Sequence, residues 1–347
     1  MSADTPPPSL QNKFGRKTFS TVLKKGYKYV ESRKTGRIKS FKTPWPSFNE
    51  AGVAGLEWGS MLTIGARPGA GKTMIVSQIL RESRKLNPDQ DFNILEFQFE
   101  MGDEQYASRQ FSGTVREEYS DVLSTKKPLN DFVLEQIARY IKDCEDLEKQ
   151  GIHRELISES LTVLEMKQAI IQAYKDWGDR PMVVTVDHSW LIKKDPSEKE
   201  KLQTLYNATE MLMKLKNQIP IIIIMITQLN RSIDDPSRKK MGDVGNYPTA
   251  SDIFGGDALM QGSDMIAILA RPWKADIPLY GPYQYDCKKT HVIMHLIKSR
   301  SGNGDIDMVF LDMDGVGQKM IEIPELPKLK DQGNRPGSYI PYSSSKQ

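Results

Sequence analysis

The stretch Thr63-Ile64-Gly65-Ala66-Arg67-Pro68-Gly69-Ala70-Gly71-Lys72-Thr73 limits the fold more than any other part of the chain. A mostly apolar run, Met61 to Ile64, enters a glycine-rich turn that ends in Gly-Lys-Thr, and a helical pattern follows from Met74 to Leu86. Strand, loop and helix in that order are the setting of a phosphate-binding loop. Backbone N–H groups of such a loop and of the first helical turn converge on one point, where they can cradle β- and γ-phosphates. Lys72 adds a point charge there, and Thr73 offers a hydroxyl to Mg²⁺. The residues expected to line the nucleotide are Ala66, Arg67, Pro68, Gly69, Ala70, Gly71, Lys72 and Thr73. In strict register with G-x4-G-K-[ST], Ala66 stands at the first glycine position and Gly65 lies one place early.

The segments after the loop alternate in character. Asn93 to Phe99 reads as a strand ending at Glu100, and Asp103 to Phe111 as a helix. Asn130 to Gln150 and Thr162 to Trp177 are helical patterns, the second opening on a Thr162/Glu165 capping box. Met182 to Val186 is a buried strand ending in Asp187, and Glu198 to Asn217 an amphipathic helix. The strand Ile221 to Ile226 leads into Thr227-Gln228, and the polar stretch Asp234 to Pro248 is expected to be a mobile loop. Further strands are expected at Asp264 to Ala270, His291 to Lys298 and Met308 to Leu311. Alternation of this kind predicts an α/β fold, a doubly wound and mostly parallel sheet flanked by helices, with the C-terminal strands free to pair antiparallel.

In such sheets ligands gather at the carboxyl ends of the strands, where Gly65, Glu100, Asp187 and Gln228 all fall. Asp187, closing an apolar strand downstream of the phosphate loop, is placed to hold Mg²⁺ directly or through water. Glu100 can polarise an attacking water as general base; the plainer role is an acid favoured by the dipole of the following helix. The Gln228 amide can bond a γ-phosphate and report its loss, or simply satisfy a strand end.

A hydrophobic content of 38% and a charged content of 27% suit a soluble α/β domain with appendages. The longest apolar run, Ile219 to Ile226, is far too short to span a bilayer, and the N-terminus lacks the apolar core of a secretory signal. Cys144 and Cys287 have neither metal-ligand spacing nor a disulfide framework, so a cytoplasmic location is expected. The net charge of +3 hides an asymmetry: Met1 to Thr43 carries 11 Lys and Arg against Asp4 and Glu31 only. Nucleic acid, or an acidic face of another subunit, suits such an arm. Within it, after a disordered lead-in from Met1 to Lys13, Phe19, Val22, Leu23, Tyr27 and Val30 recur at helical spacing. That helix either folds back on its own domain or docks on a neighbouring subunit.

Six motifs in order resemble DnaB-like replicative helicases over Pro44 to Leu311. Gly65 to Thr73 resembles their Walker A loop, and Phe97-Gln98-Phe99-Glu100-Met101 with Glu104-Gln105 and Arg109 resembles the second motif, whose glutamate is the catalytic base. Thr185-Val186-Asp187 with Leu191-Ile192 is similar to the Walker B strand, although His188-Ser189-Trp190 replaces the usual Tyr-Leu-Gln. Thr227-Gln228-Leu229-Asn230-Arg231-Ser232 is the nearest match, to Ser-Gln-Leu-Asn-Arg-Ser. Ser251-Asp252, Gln261 and Asp264 coincide with the DNA-loop motif, where Ile253-Phe254-Gly255-Gly256-Asp257 replaces a charged Leu-Arg-Glu-Ser-Gly. Lys298-Ser299-Arg300 matches a Lys-x-Arg whose arginine reaches the ATP of the neighbouring subunit.

The resemblance implies a RecA-like P-loop NTPase at 44–322, preceded by a lead-in and basic linker helix at 1–43 and followed by a flexible tail at 323–347. It implies ATP and Mg²⁺, with Lys72, Glu100, Gln228, Lys298 and Arg300 catalytic and Thr73 and Asp187 at the metal. It also implies Arg231, Gly255 and Gly256 at single-stranded DNA, in a homo-oligomer, a hexamer by family, that acts at a replication fork. A primase or a loader is a further partner of such motors. The family's N-terminal helical domain has no expected counterpart here, a content that fits a phage or mobile element and so a host cytoplasm. Two other readings remain open, a RecA-type DNA-binding filament ATPase, which uses the same core, and a nucleotide-gated assembly module that does not unwind; Gln228-Leu229-Asn230-Arg231 and Lys298-Ser299-Arg300 favour the helicase over the first.

Overall fold

The six side chains of Ile221 to Ile226 are apolar without exception, so that segment needs cover on both of its faces. In the computed structural model, which describes residues 16–240, 247–277, 279–302 and 304–328, it receives that cover. The expected lead-in, part of the expected polar loop and the tail beyond Lys328 lie outside the described residues. The chain divides into two compact units, Met1–Ser40 and Phe41–Gln347.

The first unit contains α1 (Phe19–Lys34), which runs past the end of its apolar stripe at Val30. The Thr18 hydroxyl caps it by accepting from the Thr21 N–H, and Arg33 and Lys34 in the last turn complement the helix dipole. None of its residues is buried, and Phe19, Val22, Leu23, Tyr27 and Val30 are all exposed.

The second unit begins with α2 (Pro46–Ala51), β1 (Met61–Ala66), α3 (Lys72–Leu86), β2 (Asn93–Gln98), α4 (Asp103–Val115), α5 (Tyr119–Val122), α6 (Asp131–Lys149), β3 (Arg154–Ile157) and α7 (Val163–Asp176). It continues with β4 (Met182–Asp187), α8 (Lys201–Lys216), β5 (Ile221–Gln228), α9 (Pro236–Lys240), α10 (Gly256–Gly262) and β6 (Met265–Ala270). A small hairpin, β7 (Leu279–Tyr280) and β8 (Tyr285–Asp286), precedes β9 (His291–Ser299), β10 (Met308–Asp314) and β11 (Lys319–Glu322).

The main sheet has the order β11-β10-β9-β6-β1-β5-β4-β2-β3. The six strands from β6 to β3 are parallel, while β9, β10 and β11 add antiparallel at one edge. The mostly parallel sheet with antiparallel C-terminal additions is therefore observed. Strand periodicity divides the core in two: Ile222, Ile224 and Ile226 join α3 on one face, and Ile221, Ile223 and Met225 join α7 and α8 on the other. The Thr162/Glu165 capping box is formed at α7. β3, β7, β8 and β11 were not expected: each is only two to four residues long, too short to show a period. Helix α8 begins at Lys201 rather than Glu198, because the Glu198 carboxylate turns back to accept from Thr204 Oγ1 (2.7 Å) and Asn207 Nδ2 (2.6 Å).

Candidate functional site: a phosphate loop and its strand-end neighbours

The turn from β1 into α3 depends on two glycines. Gly69 and Gly71 have φ of +75° and +97°, in the left-handed region that L side chains rarely adopt. A Cβ on Gly71 would collide with the Met320 methyl of β11, and one on Gly69 with the Lys274 ammonium. Helix α3 starts at Lys72, two residues earlier than its apolar pattern suggests. The Lys72 ammonium donates to the Ala66 carbonyl at 3.1 Å, curling over the loop. Burial lowers its pKa, opposed by the nearby Asp187 and Glu100 carboxylates.

β4 places Asp187 level with Gln98 of β2. Asp187 Oδ2 accepts from Thr73 Oγ1 at 3.0 Å and from Gln98 Nε2 at 3.2 Å. Its Oδ1 is buried without a hydrogen-bond partner, and burial raises the pKa of the group. A cavity of about 10 Å³ lies beside Thr73, Gln98 and Asp187, close to the space of one water or ion. A larger cleft of about 670 Å³, between Pro44, Gln78, Phe310 and Lys319, contains none of these side chains.

A buried, orphaned carboxylate oxygen beside a hydroxyl fits Mg²⁺, which takes one or two protein oxygens and completes its shell with water and phosphate. Among the described residues no group of three or more His, Cys, Asp or Glu is placed to hold a metal ion. Thr73 and Asp187, the two residues expected at the metal, stand together.

Glu100 is exposed just beyond β2, and its backbone N–H donates to Gln98 Oε1 at 3.1 Å. Gln98 thus links Glu100 to Asp187, a role the sequence reading missed; the available signal was an amide in an otherwise apolar strand end. Gln228, exposed at the end of β5, is in register with Ala66 at the mouth of the loop. Its carbonyl accepts from the Phe254 N–H at 3.1 Å, which ties it to the segment carrying Gly255 and Gly256. Gly255 caps α10 at φ +69°, where a Cβ would collide with Leu205, and Gly256 is the first residue of that helix. Arg231 is exposed in the turn after β5. Arg67 reaches the same turn, pairing with Asp234 at 2.5 Å and donating to the Leu229 carbonyl at 3.3 Å.

Three further groups adjoin the loop without having been foreseen. Arg271 Nη1 donates to the Gly69 carbonyl at 3.0 Å and Lys274 Nζ to the Pro68 carbonyl at 3.3 Å. Both follow β6, the other neighbour of β1, and only the strand order reveals that adjacency. His188 follows Asp187; its Nδ1 accepts from the Trp190 N–H at 3.2 Å, and burial, then Lys72, lowers its pKa.

Lys298 and Arg300 are not in this group. They lie where β9 ends, beside the first residue of β6, whereas the phosphate loop follows the last residue of β1. Register along β1 separates the two ends by about five residues, ~16 Å along the strand. Lys298 Nζ donates to the Met260 carbonyl and Arg300 Nη2 to the Gln261 carbonyl, the latter at 2.9 Å.

A phosphate loop on the central strand of a mostly parallel sheet, with an acid ending the strand two places along, defines a P-loop NTPase fold of RecA-like type. The family model for the DnaB-like helicase C-terminal domain matches residues 42–315, and the chain belongs to that family. The replicative DNA helicase DnaB of Helicobacter pylori strain J99 is 26% identical over 219 residues, covering 63% of this chain and 41% of that protein. DnaB of Buchnera aphidicola from Baizongia pistaciae is 26% identical over 278 residues, 80% of this chain and 54% of its own length. The chain thus spans about half the length of the curated relatives it matches. Among solved structures, an isolated ATPase domain superposes with a TM-score of 0.70 at 16% identity, covering 89% of this chain and all of that one. A DnaB-like replicative helicase, solved for its interactions with primase, gives 0.70 at 16% over 88% of this chain and 69% of its own. At such identities the two structures speak for the shared fold alone.

Proposed function

We propose that this chain is the motor of a ring-forming, ATP-dependent replicative DNA helicase that moves along single-stranded DNA and separates the duplex. The observation that carries the reading is the separation of the two half-sites: Lys72 and Thr73 stand at one end of the sheet, Lys298 and Arg300 at the other. One copy cannot bring both to one nucleotide, whereas adjacent copies in a ring can. Lys72 and the loop N–H groups from Gly69 to Thr73 bind the ATP phosphates; Glu100 orients and deprotonates the attacking water. Thr73 and Asp187 would hold Mg²⁺, which would neutralise phosphate charge when bound. Arg300 and Lys298 of the adjacent copy stabilise the charge that develops in the transition state, so hydrolysis depends on assembly.

Gln228 contacts the γ-phosphate and, through its bond to Phe254, passes the nucleotide state to Gly255, Gly256 and Arg231. Those residues grip the sugar–phosphate backbone without reading sequence. A hexamer acting in the cytoplasm, in contact with a primase or loader, is the assembly this family reading favours. Among the described residues no helix is long and apolar enough to cross a membrane.

Unwinding of a forked duplex, followed with and without ATP and paired with electron microscopy of the assembled protein, tests the reading. Rings that unwind are the expected result. Filaments, or rings that hydrolyse ATP without unwinding, overturn it.

A further inference from the structure

Asp264, in the turn between α10 and β6, was matched by sequence to a DNA-loop motif. Its contacts fix it at the amino end of β1. Its backbone N–H donates to the Met61 carbonyl and its Oδ2 accepts the Met61 N–H, both at 2.8 Å, which fixes it to the first residue of the phosphate-loop strand. The same oxygen accepts from the buried Lys216 ammonium at the end of α8. Its Oδ1 pairs with Arg300 Nη1 at 3.4 Å, and its carbonyl accepts the Arg300 N–H at 2.9 Å.

Arg300 is therefore held from three directions: its backbone by Asp264, one guanidinium nitrogen by the Asp264 carboxylate, and the other by the Gln261 carbonyl of α10. The guanidinium is half exposed and its ion pair is long, so the fork is aimed yet free to engage a second anion. Lys216 neutralises the far oxygen of Asp264 and keeps that carboxylate from drawing Arg300 fully down onto it.

We propose that Asp264 is a positioning residue for Arg300: acting with Lys216, it sets the guanidinium in the orientation that meets the nucleotide of the adjacent copy. This rests on the shared-site reading above. The contacts belong to the copy that donates Arg300, so a lesion at Asp264 disables the donated half of a site and leaves the recipient half, with its phosphate loop, intact.

Subunit mixing tests that assignment. Asp264→Asn keeps an oxygen for the Met61 N–H while removing the negative charge opposite Arg300. Its DNA-stimulated kcat is expected to fall about 10–100-fold, the usual cost of a displaced transition-state group, with KM for ATP and nucleotide affinity unchanged. Mixed with Lys72→Ala subunits, which still donate Arg300, Asp264→Asn should regain activity; mixed with Arg300→Ala subunits it should not. Revival by Arg300→Ala subunits, or a wild-type kcat, overturns the inference. Should Asp264→Asn fail to fold, Lys216→Met, which leaves the Met61 bonds in place, must fall into the same complementation group, and revival by Arg300→Ala subunits refutes the proposal equally. Failure of Lys72→Ala and Arg300→Ala to revive each other removes the shared site itself, and this inference with it.

Discussion

At the carboxyl end of β4 a buried oxygen of Asp187 has no partner among the described residues, and Lys72 donates to a carbonyl of its own loop. At the amino end of β6 both oxygens of Asp264 are engaged, and Lys298 and Arg300 each rest on a carbonyl of α10. The first end is an open valence, since an unmet buried acceptor is costly until something binds it. The second is a set of cations held by local bonds, with the Arg300 guanidinium half exposed. On the proposed reading, a sheet carrying these unlike half-sites at opposite ends is completed by another copy of itself, with the open end of one facing the cationic end of the next.

The most severe way to break this comparison is to remove the cation from one end only. Arg300→Ala is expected to lower DNA-stimulated ATPase about 10³–10⁵-fold while nucleotide affinity stays near wild type. Lys72→Ala should abolish turnover and weaken nucleotide binding as well. Wild-type turnover by Arg300→Ala would mean that the second end does no chemistry. Glu100→Gln comes next. It keeps the shape of an exposed side chain but removes its basicity, so a loss of about 10²–10⁴ in kcat with ATP affinity preserved is expected from steady-state and binding measurements. A loss below about tenfold would return Glu100 to the plainer part of a helix-favoured acid.

A third test addresses β9, the strand that delivers the second end. His295 is buried there with Nε2 against Tyr280 Oη at 2.9 Å, and burial lowers its pKa from 6.5 to about 3. Its neutral form belongs to the fold, so the unfolded chain binds the extra proton between those two values. The stability involved is complete above the unfolded pKa of 6.5 and is lost as pH falls toward the folded one. Lowering the pH by about two units from there should therefore cost roughly 3 kcal/mol through this group. Denaturation midpoints of wild type and His295→Gln across that interval should diverge in slope; parallel curves would show that His295 does not carry the acid sensitivity.

The first end was legible in the sequence because each of its members closes a strong apolar strand: Lys72 follows β1, Asp187 ends β4, and Gln228 ends β5. Local pattern and the rule about strand carboxyl ends were enough to collect them. Arg271, Lys274 and Gln98 were not legible, since their proximity depends on strand order, which propensity does not encode. Asp264 is the instructive case. It coincides with a residue of the family's DNA-loop motif and opens an expected strand, and the turn after α10 carries it to the far end of the sheet from Ser251 and Asp252. β3 and β11, at the two edges, were too short to announce themselves, although the Met320 methyl of β11 packs against Gly71, whose φ of +97° calls for glycine.

The mildest variant sharpens the comparison most finely. If the first end is defined by a valence left for Mg²⁺, the hydroxyl of residue 73 matters and its methyl does not. Thr73→Ser keeps the donor to Asp187 Oδ2 and should hold kcat within about threefold, less than about 1 kcal/mol of barrier. Thr73→Val keeps the volume but removes the hydroxyl, leaving Asp187 Oδ2 with Gln98 alone. That change should cost about tenfold to a hundredfold, in line with a buried acceptor deprived of one partner, and should raise the Mg²⁺ concentration needed for half-maximal turnover. Equal losses in the two variants would trace the role of Thr73 to packing at the start of α3 instead. The first end would then be a phosphate cradle whose metal is held by Asp187 without help from the helix.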